Sequence, residues 1–220
     1  MGIDRVASSG APGAAGRPGS VQPRTTGASF RSHLGRRTPL SPRDAAAELA
    51  GAWQDVLGEP APPGGVAVLW AQWALETGRG ASMVGHNFGG LKGHAPGGGS
   101  TVQWTHEGHG VGRRRIRDRF RAYDSARAGA RDYVRTLAQH YPGALAQARR
   151  GNAAGFVDAL ARRHYFTADP AVYRHAVQGL AHQYRTQGPD AVRPLTLDGP
   201  GPWVSGVLEE LQRATARHRG

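Results

Sequence analysis

The segment Val68-Leu69-Trp70-Ala71-Gln72-Trp73-Ala74-Leu75-Glu76-Thr77-Gly78-Arg79-Gly80 constrains the fold of this chain more than any other stretch. Its apolar residues form a helix-like run that delivers one carboxylate and then stops in a Gly-Arg-Gly turn. Glu76 is therefore expected at a helix C-terminus, on the rim of whatever the helix packs against. The negative end of the helix dipole disfavours a carboxylate there, so its pKa is expected above the ordinary value. A carboxyl group kept protonated near neutral pH is what a general acid requires. Taken alone, the plainer reading is a helix-end carboxylate paired with Arg79. The rest of the chain reverses that order.

Around this helix the punctuation predicts further elements. Residues 1–40 are Gly, Pro, Ser, Thr and Arg with few large apolar side chains, which predicts a disordered basic arm. Ser41-Pro42 starts a helix reaching Leu57, with Ser as N-cap and Pro in the first turn. The Glu76 helix is expected from about Gly65, and 78–99 is loop-rich. Thr101–Glu107 alternates, with Val102, Trp104 and His106 on one side and Gln103, Thr105 and Glu107 on the other. With the glycine-rich turn 108–112 and the returning run Arg113–Phe120, this reads as a β-hairpin. Helices follow over about 125–140, 152–164 and 170–184. The domain spans 41–187; 188–202 is a Pro/Gly linker, and 203–220 is a short amphipathic helix (Trp203, Val204, Val207, Leu208, Leu211) with a basic tail.

Composition narrows the chemistry. There is no cysteine, which excludes disulfides, thiolate metal sites and a cysteine nucleophile. Ten histidines lack the His-Glu-x-x-His spacing that sets two ligands on one helix face, so no metal is expected. No apolar run approaches the roughly 20 residues needed to span a bilayer, and Met1–Arg5 lacks the apolar segment of a secretory signal. The net charge of +12 suits acidic partners such as wall polymers, nucleic acid or anionic lipid. Arg113–Arg117 alternates across a strand, which reads as one hairpin face and not as a nucleic-acid code.

Five segments in order resemble the glucosaminidase family of peptidoglycan hydrolases, glycoside hydrolase family 73, which includes flagellar-type hydrolase domains and many autolysins. Gln72-Trp73-Ala74-Leu75-Glu76-Thr77-Gly78-Arg79-Gly80 is similar to the family's Gln-x-x-Leu-Glu-Ser/Thr-Gly-x-Gly. Asn87-Phe88-Gly89-Gly90-Leu91-Lys92 resembles its cleft-side loop, and Thr105-His106-Glu107 its Thr-x-Glu. Phe120-Arg121-Ala122-Tyr123-Asp124-Ser125 is similar to Phe-Arg-x-Tyr-x-Ser, and Tyr165-Phe166-Thr167-Ala168-Asp169-Pro170-Ala171-Val172-Tyr173 to Gly-Tyr-Ala-Thr-Asp-Pro-x-Tyr. The last match departs from the pattern: His164 stands where the family has Gly, and one extra residue separates Thr167 from Asp169.

The resemblance implies a mainly α, lysozyme-like (α+β) fold, with a helical lobe and a small β-hairpin lobe forming a substrate cleft. It implies a monomeric glycosidase that needs no cofactor and cleaves β-1,4 bonds of peptidoglycan glycan strands, most simply after N-acetylglucosamine. Glu76 would be the acid, Glu107 the second carboxylate and Tyr165 the active-site tyrosine. Asn87, Phe88, Gly89, Trp104 and Tyr173 are the candidate substrate contacts. Of the aromatic residues, Phe88, Trp104 and Tyr123 can stack on sugars or belong to the core. Asp169-Pro170 reads as the cap of the last helix. The alternatives are a lytic transglycosylase on the same scaffold and a non-catalytic wall- or nucleic-acid-binding module. A wall enzyme acts in the periplasm or cell wall, free or within a flagellar, secretion or phage-tail assembly, with the export route open.

Overall fold

The structure is a computed structural model and describes residues 35–107 and 114–191. Six helices and one antiparallel hairpin make up the described part: α1 (Pro42–Leu57), α2 (Pro63–Thr77), β1 (Ser100–Glu107), β2 (Arg114–Arg121), α3 (Ala126–His140), α4 (Pro142–Arg149), α5 (Ala153–Ala161) and α6 (Pro170–Gln187). The expected mainly α architecture with a small hairpin lobe is present.

α2 is the axis of the helical lobe. Its residues from Gly65 to Thr77 are all buried, because the run is apolar on every side and so needs neighbours on every side. α6, α1 and α4 pack against it, while α3 lies against α1 and α5 against α6. Leu69, Leu75 and Val68 are fully enclosed, each worth roughly 1.5–3 kcal/mol relative to exposure. The aromatic residues link the helices: Trp70 meets Tyr184 of α6 at 5.1 Å between ring centroids, and Trp73 meets Phe88 at 6.2 Å.

Local signals set the helix ends. Ser41 caps α1 by accepting from the Asp44 amide at 3.1 Å, and Asp169 caps α6 by accepting from Ala171 and Val172 at 2.8 and 3.1 Å. α2 stops because Gly78 adopts the left-handed conformation, φ 55°, and its amide closes on the Ala74 carbonyl. Thr77 then holds the following turn, its hydroxyl accepting from the Gly80 amide at 2.9 Å.

Three expectations change. The basic arm expected to run to residue 40 gives way earlier: Thr38 is buried, and its amide donates to the Met83 carbonyl at 2.8 Å. Its hydroxyl accepts from the His86 amide at 2.9 Å and Arg37 bridges to Val84, so the chain is tied to the domain from 37 onward. The linker expected from residue 188 begins with a 3-10 turn, Pro189–Ala191, and Asp190 pairs with Arg43. α4 was not foreseen; with Pro142 in its first turn it fills 142–149, where the sequence shows only a short Ala-rich stretch. The amphipathic segment 203–211 and its basic tail lie outside the described residues, as do 1–34 and the hairpin tip 108–113.

The hairpin is two-stranded, with Thr101 opposite Phe120 and Glu107 opposite Arg114. One face turns to the domain, where Thr101 and Phe120 are buried. The other carries Val102 and Trp104, 44% and 49% exposed, with the Arg117 guanidinium 5.6 Å from the Trp104 ring centroid. At its base Asp132 of α3 accepts from Arg121 at 2.7 Å and from the Tyr123 hydroxyl at 2.6 Å. That buried carboxylate anchors the lobe to the helices.

Candidate active site

Glu76 ends α2 and is only 3% exposed. The expectation of a position on the rim is corrected: the carboxyl is buried at the end of the helix. Burial raises its carboxyl from the ordinary 4.5 to about 7, and a hydrogen bond donated by Tyr173 pulls against that rise. The sequence pointed in the right direction, but dehydration is the main cause rather than the helix dipole. Arg79 does not take the role of local partner suggested by the plainer reading; its Nη2 donates to Gln183 of α6 at 3.2 Å.

Three tyrosines surround the carboxyl. Tyr173 of α6 is fully buried and donates to Glu76 Oε1 at 2.7 Å. Tyr133 comes from α3, and Tyr165 from the connection between α5 and α6. Burial first, and the nearby Glu76 charge with it, push all three hydroxyls well above the usual tyrosine range. They are therefore neutral donors near neutral pH. Phe166 stacks on Tyr173 at 4.0 Å with planes 10° apart, and Tyr141 meets Tyr165 edge-on at 5.0 Å. These contacts seat the 165–173 segment against Glu76 despite the extra residue in its motif.

The Gly89-Gly90 turn lies between Glu76 and Tyr165. The Tyr165 hydroxyl donates to the Gly89 carbonyl at 2.7 Å, and a side chain at Gly89 would meet that hydroxyl at 2.5 Å and the Tyr133 ring at 2.6 Å. Gly90 takes a left-handed φ of 62°, and a Cβ there would come within 3.4 Å of Glu76 Oε2. Asn87 holds the same loop: its amide donates to the Leu91 and Arg121 carbonyls at 2.9 and 3.0 Å, and its oxygen accepts from the Leu91 amide at 2.9 Å.

The structure thus gathers Glu76, Tyr165, Tyr173 and Gly89 in one place. Asn87 and Phe88 lie behind it; both are fully buried, Asn87 bonded to backbone and Phe88 packed on Trp73, so neither presents a group to solvent. Tyr173 reaches the site through Glu76. Trp104 stands apart on the outer hairpin face. Tyr123 is buried with its hydroxyl on Asp132, which makes it part of the anchor at the hairpin base. Glu107 closes β1 opposite Arg114, and its side chain lies outside the described residues. Gln72 and Tyr133 were missed as site residues. Gln72 stood in the quoted motif four residues before Glu76, the spacing of one helix face. Nothing in the sequence tied Tyr133 to it.

Among the described residues no three His, Asp or Glu side chains gather as metal ligands do. No helix of the described part is long and apolar enough to cross a membrane.

Residues 65–186, more than half of the chain, match the family model Glucosaminidase, described as mannosyl-glycoprotein endo-beta-N-acetylglucosaminidase. The chain belongs to the glucosaminidase family of glycoside hydrolases. Among solved structures it is similar to the catalytic domain of the autolysin Auto from Listeria monocytogenes, at 21% identity and TM-score 0.48, over 74% of this chain and 97% of that one. It is also similar to a C-terminally truncated glycoside hydrolase domain of FlgJ from Salmonella typhimurium, at 22% identity and TM-score 0.45, over 67% and 99%. A third likeness is to an N-acetylmuramoyl-L-alanine amidase from Staphylococcus aureus, at 21% identity and TM-score 0.50, over 84% of this chain and 47% of that one. No curated protein matches in a sequence comparison.

Proposed function

We propose that this protein hydrolyses β-1,4 glycosidic bonds of peptidoglycan glycan strands as an endo-β-N-acetylglucosaminidase, with Glu76 as the general acid. One observation carries the reading: a single carboxyl enclosed among neutral tyrosines, raised to about 7 and therefore substantially protonated at neutral pH. Glu76 gives its proton to the glycosidic oxygen as the bond from that oxygen to the anomeric carbon breaks, and the bonding electrons leave with the oxygen. Water supplies hydroxide to the anomeric carbon, and its remaining proton passes to a second carboxylate. Glu107 takes that role in our reading, brought over the cleft by the hairpin arm when substrate binds.

Tyr165 and Asn87 shape the Gly89-Gly90 loop against which the sugar lies, and Trp104 offers a ring to the strand farther along the hairpin. The excess of positive charge suits the acidic stem peptides and polymers of a cell wall, where such an enzyme acts, in the wall or periplasm.

The test is digestion of purified walls with the native protein and with Glu76→Gln, followed by mass spectrometry of the released sugars. Reducing N-acetylglucosamine ends that vanish with Glu76→Gln support the reading. Retained lysis overturns the acid assignment. Reducing N-acetylmuramic acid ends overturn the bond assignment, and 1,6-anhydro ends would indicate a lytic transglycosylase.

A further inference from the structure

Behind Glu76 runs a buried chain of hydrogen bonds that ends on one of its two oxygens. The Tyr133 hydroxyl donates to Gln72 Oε1 at 2.5 Å, Gln72 Nε2 donates to the Tyr173 oxygen at 3.0 Å, and the Tyr173 hydroxyl donates to Glu76 Oε1 at 2.7 Å. Tyr133, Gln72 and Tyr173 come from α3, α2 and α6, and all are fully buried. A hydroxyl has one proton to give, and an amide has donors on one side only. The chain therefore has a direction, and Gln72 sets it. With its amide nitrogen toward Tyr173, the Tyr173 oxygen is already accepting, and its own proton goes forward to Glu76. Turned over, Gln72 would draw that proton back, and Tyr173 could then accept from Glu76. Tyr133 opposes the turn, because its proton needs the oxygen of Gln72 and not the nitrogen.

We propose that Gln72 and Tyr133 are positioning residues that set the direction of this chain, so that Glu76 receives a hydrogen bond on Oε1 and carries its transferable proton on Oε2. Oε2 is the oxygen beside Gly90, where the absence of a side chain leaves the carboxyl an approach. Among the described residues, the groups facing Glu76 that titrate are Tyr173 from α6, Tyr133 from α3 and Tyr165 from the α5–α6 connection, all neutral donors. Direction in the chain thus comes from the hydrogen bonds among these described groups. The inference rests on Glu76 being the acid and goes beyond that reading, since it assigns the proton to one oxygen and names what puts it there.

The test is a double-mutant cycle read on wall digestion and on the carboxyl carbon of Glu76, followed by NMR titration and assigned by its loss in Glu76→Gln. Gln72→Met keeps shape and removes the direction; Tyr133→Phe removes one oxygen and leaves the amide free to turn. Each is expected to lower kcat about tenfold, to leave KM within about twofold and to move the Glu76 titration upward, because the donated hydrogen bond that lowers it is weakened. In a Tyr173→Phe background, where the chain is already cut, Gln72→Met is expected to change neither quantity further.

Should Gln72→Met fail to fold, Tyr133→Phe is read in the same two ways. Native kcat and native titration in a folded variant overturn the proposal, as do losses that add fully in the Tyr173→Phe background. If Glu76→Gln is itself active, it is the acid assignment that falls. An inactive Glu76→Gln beside fully active Gln72→Met and Tyr133→Phe removes the relay alone.

Discussion

Around Glu76 the helical lobe supplies Tyr133, Tyr165 and Tyr173, each hydrogen-bonded to a group that is itself held, whereas the hairpin meets solvent with Val102, Trp104, Arg117 and Arg119. The first region is dry and over-determined: three helices and a glycine turn converge on one carboxyl, and an unpartnered polar group there would cost several kcal/mol. The second has a single pair of strands, marginal without support, anchored at its base through Asp132. A raised carboxyl pKa needs exclusion of water and fixed donors, which only a packed interior provides. Following a long, charged, irregular polymer needs an arm that adjusts. In the function we propose, the two walls divide those demands.

The division breaks most visibly at Glu76. Glu76→Gln is expected to lower wall lysis by about a thousandfold, in the range of losing a general acid, with an unchanged circular dichroism spectrum. Lysis within tenfold of native would mean that the buried wall is not where the chemistry lies.

Next in size is the cost of keeping that carboxyl buried. Its folded pKa is raised from 4.5 to about 7, so the native state holds a proton the unfolded chain has released. The stability this contributes is fully present below about pH 4.5 and is lost as pH rises through about 7. At one pKa unit to about 1.4 kcal/mol, the slope amounts to about 3 kcal/mol over that window. Denaturant melts of the native protein and Glu76→Gln, compared from pH 5 to 8, should show the native protein losing ground relative to the variant. Parallel curves would mean that water reaches Glu76.

On the other wall, Asp132→Ala removes the anchor of the hairpin and is expected to cost about 2 kcal/mol, since it strips a buried hydroxyl and a half-buried guanidinium of their partner. Amide exchange should rise first in β1 and β2 and not in α2; equal loss throughout would mean that the lobes do not behave as separate units. Smallest is Trp104→Ala, with stability within about 0.5 kcal/mol of native, as expected for an exposed site. Weaker capture of glycan is expected, seen as a few-fold rise in KM at unchanged kcat. A fall in kcat instead would bring the outer hairpin face into the chemistry.

Much of the fold was legible because its signals are local. Ser41-Pro42 and Asp169-Pro170 announce helix starts, Gly78 a helix stop, and the alternation over 101–107 a strand, each through the backbone or side chain of a few neighbours. The site was legible as an ordered set of motifs, which pointed to Glu76 and to the 165–173 segment. Less legible were contacts between residues far apart in the chain. Thr38 lies on Met83 and His86, and Tyr133 bonds a glutamine 61 residues before it. No periodicity encodes such a pairing. Phe88 shows the same limit from the other side: an aromatic residue in a glycine loop can face a sugar or the core, and only the position of Trp73 decides.

By itself, then, the sequence determined the elements, their order, the family and the carboxylate to watch, because propensity, capping and motif spacing act over a few residues. Tertiary structure decided what that carboxylate is. Burial among Tyr133 of α3, Tyr173 of α6, Tyr165 and the Gly89-Gly90 turn, and not the end of one helix, removes water from Glu76 and raises its pKa. Three separate segments then aim a single hydrogen bond at one of its oxygens. Dehydration and direction are properties of a packed neighbourhood, so no stretch of chain holds them alone.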